Sequence, residues 1–353
     1  MESYQKMRLT TLCYIEKDDS YLMLHRTKKA GDLCRDMWIG VGGHFEGEES
    51  PAECLLREVK EETGLTLTSY KLRGVITFLT DEAEGEYMFL YTADGFYGEL
   101  TDCDEGELSF VKKSELNNLY FWTGDEIFLK LIKEDYPVFD LILEYQGKTL
   151  KRAVLDGREM ELFDVLSEDF KETGIVRERS IVHELGSWHK TAHVWIIRKK
   201  EKGFDVLLQK RSRDKDSFPG CYDISSAGHI HAGEDYLESA VRELEEELGI
   251  TAAPEELIQI GVHKGKSDMV FYGKPFLNHE YSYVYVYDGS GIDTEKLKLQ
   301  AEEVEGVLWL DYEEGCNCLF DGTLKNCIFR DEWEMLGKFT DITNMNREKR
   351  QSV

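Results

Sequence analysis

The sequence lacks the features of membrane-spanning and exported chains. No apolar run approaches the roughly 20 residues that span a bilayer. The first residues, MESYQKMRLTTLCYIEKDD, have neither the basic start nor the apolar stretch of a signal peptide. The eight cysteines follow no repeated spacing, and Cys316 and Cys318 have no second pair to complete a four-ligand metal knuckle. We therefore expect a cytoplasmic protein with reduced thiols and no membrane partner.

An excess of positive charge is also missing. Lysine and arginine number 43 against 70 acidic residues, giving a net charge of −27. Nucleic-acid polymers are held largely by neutralising their phosphates, so we expect no such partner. Small phosphorylated substrates remain compatible, because carboxylates gathered around Mg²⁺ can accept a diphosphate. With 353 residues and 41% apolar content, the chain is long enough for two domains of about 100–200 residues each.

The chain contains an internal repeat. Residues 43–65 read GHFEGEESPAECLLREVKEETGL, and residues 228–250 read GHIHAGEDYLESAVRELEEELGI. Matching positions lie 185 residues apart, with no insertion in this stretch. Self-similarity at a fixed spacing indicates a duplicated unit. We predict one domain over residues 1–157 and a second over residues 158–353, joined by a short linker because no Pro-, Gly- or Ser-rich stretch lies between them.

Each half has the pattern of an α/β (α+β) fold with a mixed sheet. Ser50 precedes Pro51, with Glu53 in the position of a capping box, and Gly64 follows the last apolar position, so a helix is predicted between them. A second helix is predicted over residues 235–248. Alternating or continuous apolar runs predict the main strands at residues 9–15, 21–25, 70–79, 86–93 and 107–111 in the first half, and at 193–198, 204–210, 257–263 and 280–287 in the second.

The repeated segment has the form G-x5-E-x7-R-E-U-x-E-E-x-G-U, where U is aliphatic. Three of its glutamates stand at i, i+3 and i+4 and therefore share one face of a helix. Like charges packed in this way repel, and a hard divalent cation with oxygen ligands relieves the repulsion. The motif thus predicts a platform for Mg²⁺, with Mn²⁺ as a substitute, on glutamates Glu58, Glu61 and Glu62 in the first copy and Glu243, Glu246 and Glu247 in the second.

Both copies resemble the Nudix box at every position. The resemblance implies two Nudix folds, each a mixed β-sheet sandwiched by helices, and hydrolysis of nucleoside diphosphate derivatives. It also implies that an arginine ties the helix to the preceding loop through a carboxylate such as Glu49 or Glu234. A loop glycine without a side chain can approach closely enough to offer its carbonyl to the metal. These arginines and glycines are Arg57 and Gly43 in the first copy, and Arg242 and Gly228 in the second.

The first half resembles the MutT-like 8-oxo-dGTP diphosphatases through segments such as WIGVGGHFEGEE and FWTGDEIFLKLI. The resemblance implies that Trp122 stacks on the base, that Asp125 reads its edge, and that Glu105 binds metal or accepts a proton. Two positions differ from that branch: Ile39 replaces an asparagine found in some relatives, and Gly124 replaces a second recognition acid. The identity of the base is therefore open.

The second half resembles the isopentenyl-diphosphate isomerase-like branch through VHELGSWHKTAHVW and FPGCYDISSAGHIHAGE. The resemblance implies a further metal site on His183, His189, His229 and Glu280. Ala227 occupies the position of the isomerase thiol, so the intact box favours hydrolysis of an unknown diphosphate. Isomerisation is one alternative. A nucleotide-binding sensor is another, but a damaged box or a helix-turn-helix would be expected in such a protein, and neither is present.

Overall fold

The structure, a computed structural model, describes residues 7–28, 33–215 and 217–351, with side chains described up to residue 340. The chain divides into two compact units. One comprises Met1–Leu162 and Ile175–Ile181, and the other comprises Phe163–Gly174 and Val182–Val353. The boundary between residues 157 and 158 stays a prediction. Within the described part of the chain, no helix is both long and apolar enough to cross a membrane.

The described residues of the first unit form a nine-stranded mixed sheet. Its strands are β1 (Arg8–Lys17), β2 (Ser20–Arg26), β3 (Trp38–Ile39), β4 (Thr66–Thr80), β5 (Glu86–Tyr97), β6 (Gly106–Lys112), β7 (Phe139–Gln146), β8 (Thr149–Leu155) and β9 (Arg158–Glu159). Their order is β3-β2-β1-β5-β4-β7-β8-β9, and β6 pairs with β2. The β1–β5 and β4–β7 pairs are parallel, while the other pairs are antiparallel.

Local sequence signals account for the elements around the first repeat. Asp18 and Asp19 adopt positive φ angles of 48° and 59° and close the tight turn between β1 and β2. Helix α1 (Pro51–Thr63) begins after Ser50, whose hydroxyl and backbone N–H complete a capping box with Glu53, and it ends at a left-handed Gly64. The predicted helix is confirmed at both ends.

Two helices cover opposite faces of the first sheet. Leu55 and Val59 of α1 are fully buried in a cluster with Cys13 and Ile15 of β1. The intervening Tyr14 faces the other way, where its ring lies 5.9 Å from Phe128 of helix α2 (Asp125–Lys133). This alternation is the period of a strand whose two sides are both buried. A 3-10 helix (Lys113–Asn118) precedes α2.

In the sequence, the residues that follow the first sheet and precede the second form a hairpin and a short helix. Strands β10 (Leu162–Leu166) and β11 (Glu172–Glu178) pair with each other, and helix α3 (Arg179–Leu185) follows. We call residues 163–174, the portion of this hairpin that belongs to the second unit, the hairpin arm.

The described residues of the second unit form a seven-stranded mixed sheet. Its order is β14-β13-β12-β17-β16, with β15 paired to β12 and β18 to β13, and β12 runs parallel to β17. The strands are β12 (His189–Lys199), β13 (Phe204–Arg211), β14 (Tyr222–Asp223), β15 (Ser226–His229), β16 (Ile258–Phe271), β17 (Lys274–Asp288) and β18 (Val304–Asp311). The helices are α4 (Tyr236–Leu248), α5 (Tyr312–Cys318) and α6 (Arg330–Gln351), with 3-10 turns at Pro254–Glu256 and Thr294–Lys296.

The second sheet is also covered on both faces. On one face, Leu244 and Leu248 of α4 join a buried cluster with Val194 of β12. On the other, Trp195 of β12 packs with Trp333 of α6. Both units are therefore mixed sheets between helices, which confirms the predicted α/β fold class.

A buried ion cluster attaches α6 to this sheet. Glu332 is fully buried, and its carboxylate lies 3.0 Å from His193 Nδ1 and 3.4 Å from His263 Nδ1. It also accepts a 2.8 Å hydrogen bond from Trp195 Nε1. Burial disfavours the charged imidazolium, but the carboxylate of Glu332 outweighs it and raises the pKa of His193 to about 9.

We predict that Glu332→Ala destabilises the second unit by about 3–5 kcal/mol, because it leaves His193 buried without its partner. The pKa of His193 is raised on folding from its ordinary value of 6.5. Its stabilising contribution is therefore complete below pH 6.5 and is lost as the pH rises through about 9. Denaturant unfolding followed by tryptophan fluorescence between pH 6 and 10 measures both effects. Exposed Glu334→Ala is the control, and an equal loss of stability with pH in Glu332→Ala would contradict the assignment.

Candidate active sites

The box glutamates of the first unit converge beside the glycine loop. Arg57 donates to Glu58 at 2.8 Å and to Glu61 at 3.1 Å, so both carboxylates meet at one guanidinium. Glu62 is held from the loop side, where its carboxylate accepts a 3.1 Å hydrogen bond from the backbone N–H of Gly42. The i, i+3, i+4 spacing thus has the consequence expected of it on a helix.

The same arginine ties the helix to the loop. Arg57 binds both oxygens of Glu49, at 2.6 and 3.1 Å, and donates to the carbonyl of His44 at 2.9 Å. The bidentate guanidinium lowers the pKa of Glu49 to about 2. A Cβ atom at Gly43 would lie 2.5 Å from the Glu58 carboxylate, so only glycine lets the loop approach this closely.

Burial and like charge perturb the innermost carboxylate. Burial is the larger cause, and the charge of Glu105 is the second; together they raise the pKa of Glu62 to about 8. Glu105 itself is ion-paired with Arg26, the last residue of β2. An added cation at this point would stabilise the charged form of both carboxylates, so the residues present fit a divalent metal.

The second unit repeats this geometry on α4. Arg242 lies 2.9 Å from Glu243 and donates to Glu246 at 3.0 Å, while the backbone N–H of Ala227 donates to Glu247 at 3.2 Å. Burial raises the pKa of Glu247 to about 8 and that of Glu243 to about 7. A Cβ atom at Gly228 would collide with the Glu243 carboxylate.

Strand register reveals one site residue that sequence reasoning missed. In the first unit, Arg26 pairs with Gly106, and Glu105 directly precedes that pair. In the second unit, Arg211 pairs with Val304, and Glu303 directly precedes it. The charge of Glu303 also helps to raise the pKa of Glu247, as that of Glu105 does for Glu62. The 185-residue spacing of the repeat does not lead from Glu105 to Glu303, because more residues separate Glu303 from its box than separate Glu105 from the first box.

The two outer carboxylates have different cationic partners. Glu105 pairs with Arg26, whereas Glu303 pairs with Lys215. Arg211, the counterpart of Arg26, instead binds Asp223 at 3.0 Å and the carbonyl of Ser217. The sites therefore share their carboxylate arrangement but differ in the cations around it.

The histidines predicted from the second half lie together. One ring nitrogen from each of His183, His189 and His229 falls within 4.8 Å of the others. Glu280 Oε1 lies 3.7 Å from His189 Nε2 and 3.8 Å from His229 Nε2. Glu280 reaches the histidines because it lies on β17 directly opposite His189 of β12, in the parallel pairing of these two strands.

The hydrogen bonding of His189 suits a metal ligand. Its Nδ1 lies 3.0 Å from the carbonyl of Ser187, a contact in which Nδ1 must carry the proton. Its Nε2 is buried and has no hydrogen-bond partner among the described residues. A neutral imidazole oriented by a backbone carbonyl is a common arrangement at metal sites. Three imidazoles and a carboxylate suit a borderline transition metal better than Mg²⁺.

The predicted base-recognition residues of the first unit are both buried. Trp122 contacts Phe78 and Tyr145 at interplanar angles of 73° and 66°, so neither described ring stacks on its face. Asp125 is the first residue of α2 and is 6% exposed. Burial and the adjacent Glu126 raise its pKa well above the ordinary value, which favours a protonated carboxyl able to donate a hydrogen bond.

In each unit, a glutamate-faced helix lies beside a glycine loop on a mixed sheet, and its carboxylates are of the kind that holds a divalent cation. A model of the NUDIX domain matches residues 6–132 and 187–324. The chain therefore belongs to the Nudix family, and it is a Nudix hydrolase acting on phosphoanhydrides. Members of this family generally need divalent metals and act on nucleotides or other small diphosphates.

Three proteins that resemble parts of the chain each match less than half of it. An uncharacterized Nudix hydrolase of Clostridium acetobutylicum is 38% identical over 156 residues, which is 44% of this chain and 72% of that protein. Nudix hydrolase 3 of Arabidopsis thaliana is 44% identical over 160 residues, or 45% of this chain and 20% of that protein. A MutT protein structure from Bacillus halodurans has 26% identity and a TM-score of 0.39, covering 42% of this chain and 98% of that one.

We predict that Glu303→Gln lowers turnover at the second site by about 10- to 100-fold, the usual effect of a lost residue near a metal. The full chain carrying Glu62→Gln, with its first site silenced, is the background for steady-state assays. Glu305→Gln is the matched control, since Glu305 lies two residues further on and pairs with Lys210. Equal turnover in the two variants would remove Glu303 from the site.

Proposed function

We propose that the first unit hydrolyses oxidised purine nucleoside triphosphates such as 8-oxo-dGTP, and that the second hydrolyses a different diphosphate. The observation that carries the hydrolytic assignment is the repeated box, in which three glutamates of one helix converge on a glycine loop in each unit. Mg²⁺ is the proposed cation for both boxes, with Mn²⁺ as a substitute. The substrate assignment of the first unit rests on Trp122, Asp125 and the motifs around them.

The chain's own residues prepare the first site for attack by water. Arg57 fixes Glu49, Glu58 and Glu61, so these carboxylates stay oriented while they repel one another. Divalent cations held by Glu58, Glu61 and Glu62 would supply neutralisation of the diphosphate oxygens and a lower pKa for the attacking water. Glu62 is a candidate to accept that proton, because a carboxyl with a raised pKa is a better base than an ordinary glutamate. Glu105, whose charge helps to raise the pKa of Glu62, is the second candidate through its position beside it.

The nucleotide assignment depends on two buried residues, one aromatic and one acidic. Trp122 offers a large π-face, and base stacking on such a ring is worth roughly 1–3 kcal/mol. Burial raises the pKa of Asp125 well above its ordinary value, and the protonated form of this carboxyl could donate to an acceptor on the base edge. Together they support a substrate that carries a purine rather than a sugar or lipid at this position.

Hydrolysis is also the function proposed for the second unit. Glu243, Glu246 and Glu247 repeat the metal face, and we propose Glu280 with His183, His189 and His229 as a second set of metal ligands. Isomerisation is less well supported, because Ala227 cannot donate or accept a proton. Cys221 is buried, and its backbone N–H donates to the carbonyl of Phe218. The two intact boxes support catalysis over a pure sensor role.

We expect Glu61→Gln and Glu62→Gln each to lower first-site turnover by about 100-fold or more, and Glu246→Gln and Glu247→Gln to do the same at the second site. Glutamine keeps the shape of the side chain, so the fold should remain intact. The assay is phosphate or pyrophosphate release with Mg²⁺ from a panel of nucleoside, sugar-nucleotide and prenyl diphosphates. Glu48→Gln, an exposed residue of the first loop, is the control.

Undiminished turnover in both first-site variants would contradict the site assignment. The same panel decides the isomerase alternative when isopentenyl diphosphate is followed by NMR. Formation of dimethylallyl diphosphate at an enzymatic rate, lost in Cys221→Ala, would overturn hydrolysis as the function of the second unit.

Trp122→Ala should raise KM for 8-oxo-dGTP by about 5- to 150-fold, the factor that corresponds to roughly 1–3 kcal/mol of stacking. Asp125→Ala should reduce the preference for oxidised over normal guanine. Steady-state kinetics with 8-oxo-dGTP and dGTP measure both, and Tyr120→Ala, an exposed aromatic residue of the preceding loop, is the control. An unchanged substrate profile in both variants would make Trp122 a packing residue and refute the nucleotide assignment.

A further inference from the structure

The two units differ in how closely the arginine of the Nudix box, Arg57 or Arg242, binds the loop before its helix. In the first, Arg57 binds Glu49 at 2.6 and 3.1 Å and the carbonyl of His44 at 2.9 Å. In the second, Arg242 reaches the carbonyl of His229 only at 3.4 Å, and its nearest approach to Glu234 is 3.6 Å. The shortest distance from the arginine to the loop glutamate is therefore about 1 Å longer in the second unit than in the first, and at 3.6 Å it exceeds hydrogen-bonding range.

The loop glutamate of the second unit makes local contacts instead. Glu234 accepts a 3.0 Å hydrogen bond from Ser239 and lies 3.2 Å from His231 Nδ1. Both partners are within five residues of it, so these contacts shape the loop without joining it to the catalytic end of α4. Gly228 and His229 belong to strand β15, which pairs with β12, but the loop that follows them is held less closely by its arginine than the loop of the first unit.

The hairpin arm contacts this loop at two points. The ring of Phe163 is stacked on His229, with centroids 4.6 Å apart and planes 14° apart, and it lies at 6.5 Å and 11° from His231. The carboxylate of Asp164 accepts a 3.1 Å hydrogen bond from the backbone N–H of Gly233. Phe163 is fully buried and also stacks on His189, at 5.5 Å.

The arm is itself anchored to the second unit. The backbone N–H of Leu166 donates to the carbonyl of Trp188 at 2.7 Å, and Lys264 donates to the carbonyl of Glu168 at 2.8 Å. Lys190 Nζ lies 3.5 Å from the Asp164 carboxylate, on the strand next to the arm. These contacts fix the position of the hairpin arm relative to His229 and the loop after it.

We propose that Phe163 and Asp164 are positioning residues of the second active site, taking over part of the role that Arg57 has in the first. Phe163 holds the ring of His229, and Asp164 holds the loop that follows this residue, so the metal affinity of the second site depends on the hairpin arm. The inference rests on the proposed metal sites of the second unit, and it concerns residues that lie between the two segments matched by the family model.

Mn²⁺ binding to the full chain without substrate tests this inference. The background carries Glu58→Gln, Glu61→Gln and Glu62→Gln, which removes the first-site carboxylates. Electron paramagnetic resonance of free Mn²⁺ gives the dissociation constant, and adding Glu247→Gln identifies the ion bound at the second box. Loss of outer support typically weakens metal binding by 10- to 100-fold. We expect Asp164→Ala to raise the dissociation constant of that ion by roughly tenfold, and Phe163→Leu to raise it in the same direction.

The conservative variant and a control separate positioning from folding. Asp164→Asn keeps an oxygen that can accept from Gly233, so it should restore Mn²⁺ affinity to within about twofold. Asp169→Ala, in the same arm, removes a hydrogen bond from Ser167 and an ion pair with Lys171, neither of which touches the His229 loop, and should leave Mn²⁺ affinity unchanged. Affinity unchanged in both Asp164→Ala and Phe163→Leu would overturn the proposal. So would an equal loss in Asp164→Ala and Asp164→Asn accompanied by a lower Tm.

Failure of the proposed function gives a different result. If Glu247→Gln left Mn²⁺ binding unchanged, the second box would hold no metal, and the function itself would be wrong. If Glu247→Gln abolished binding but the arm variants did not weaken it, only the positioning role would be refuted.

Discussion

Repulsion among like-charged glutamates on one helix face is the constraint on which each unit depends. Their carboxylates lie within reach of a single guanidinium, and burial makes the charge on the innermost one still more costly. The raised pKa values of Glu62 and Glu247 express this cost. An arginine relieves part of it, and a divalent cation held by the same carboxylates would relieve more. The residues that create the repulsion are therefore the ones that we propose as metal ligands.

The surrounding fold fixes where the repelling charges meet. Each box helix packs its apolar side on a mixed sheet, so its acidic side must face the glycine loop. Backbone N–H groups of Gly42 and Ala227 then hold the innermost glutamates from that loop. The opposite sheet face is covered independently, in the second unit by α6 and its buried Glu332.

The two halves share this plan but apply it with different neighbours. Arg26 accompanies the outer carboxylate of the first site, and Lys215 that of the second. The second unit adds three imidazoles and Glu280, a donor set with different metal preferences from the carboxylate box. The two units therefore share one carboxylate arrangement and differ in the charged groups and possible metal ligands around it.

The sequence by itself determined the repeat, the fold class, both box helices with the caps of α1, and the turn between β1 and β2. These features are set by local signals: side-chain period, N-cap chemistry and glycine at helix ends. It did not predict strands β10, β11 and β18, helices α3, α5 and α6, or the place of Glu303. Glu303 joins the second site through strand pairing across distant parts of the chain, and Glu332 finds His193 only when α6 packs on the sheet. Only the tertiary structure decided these contacts, because they join residues far apart in sequence whose pairing no local pattern encodes.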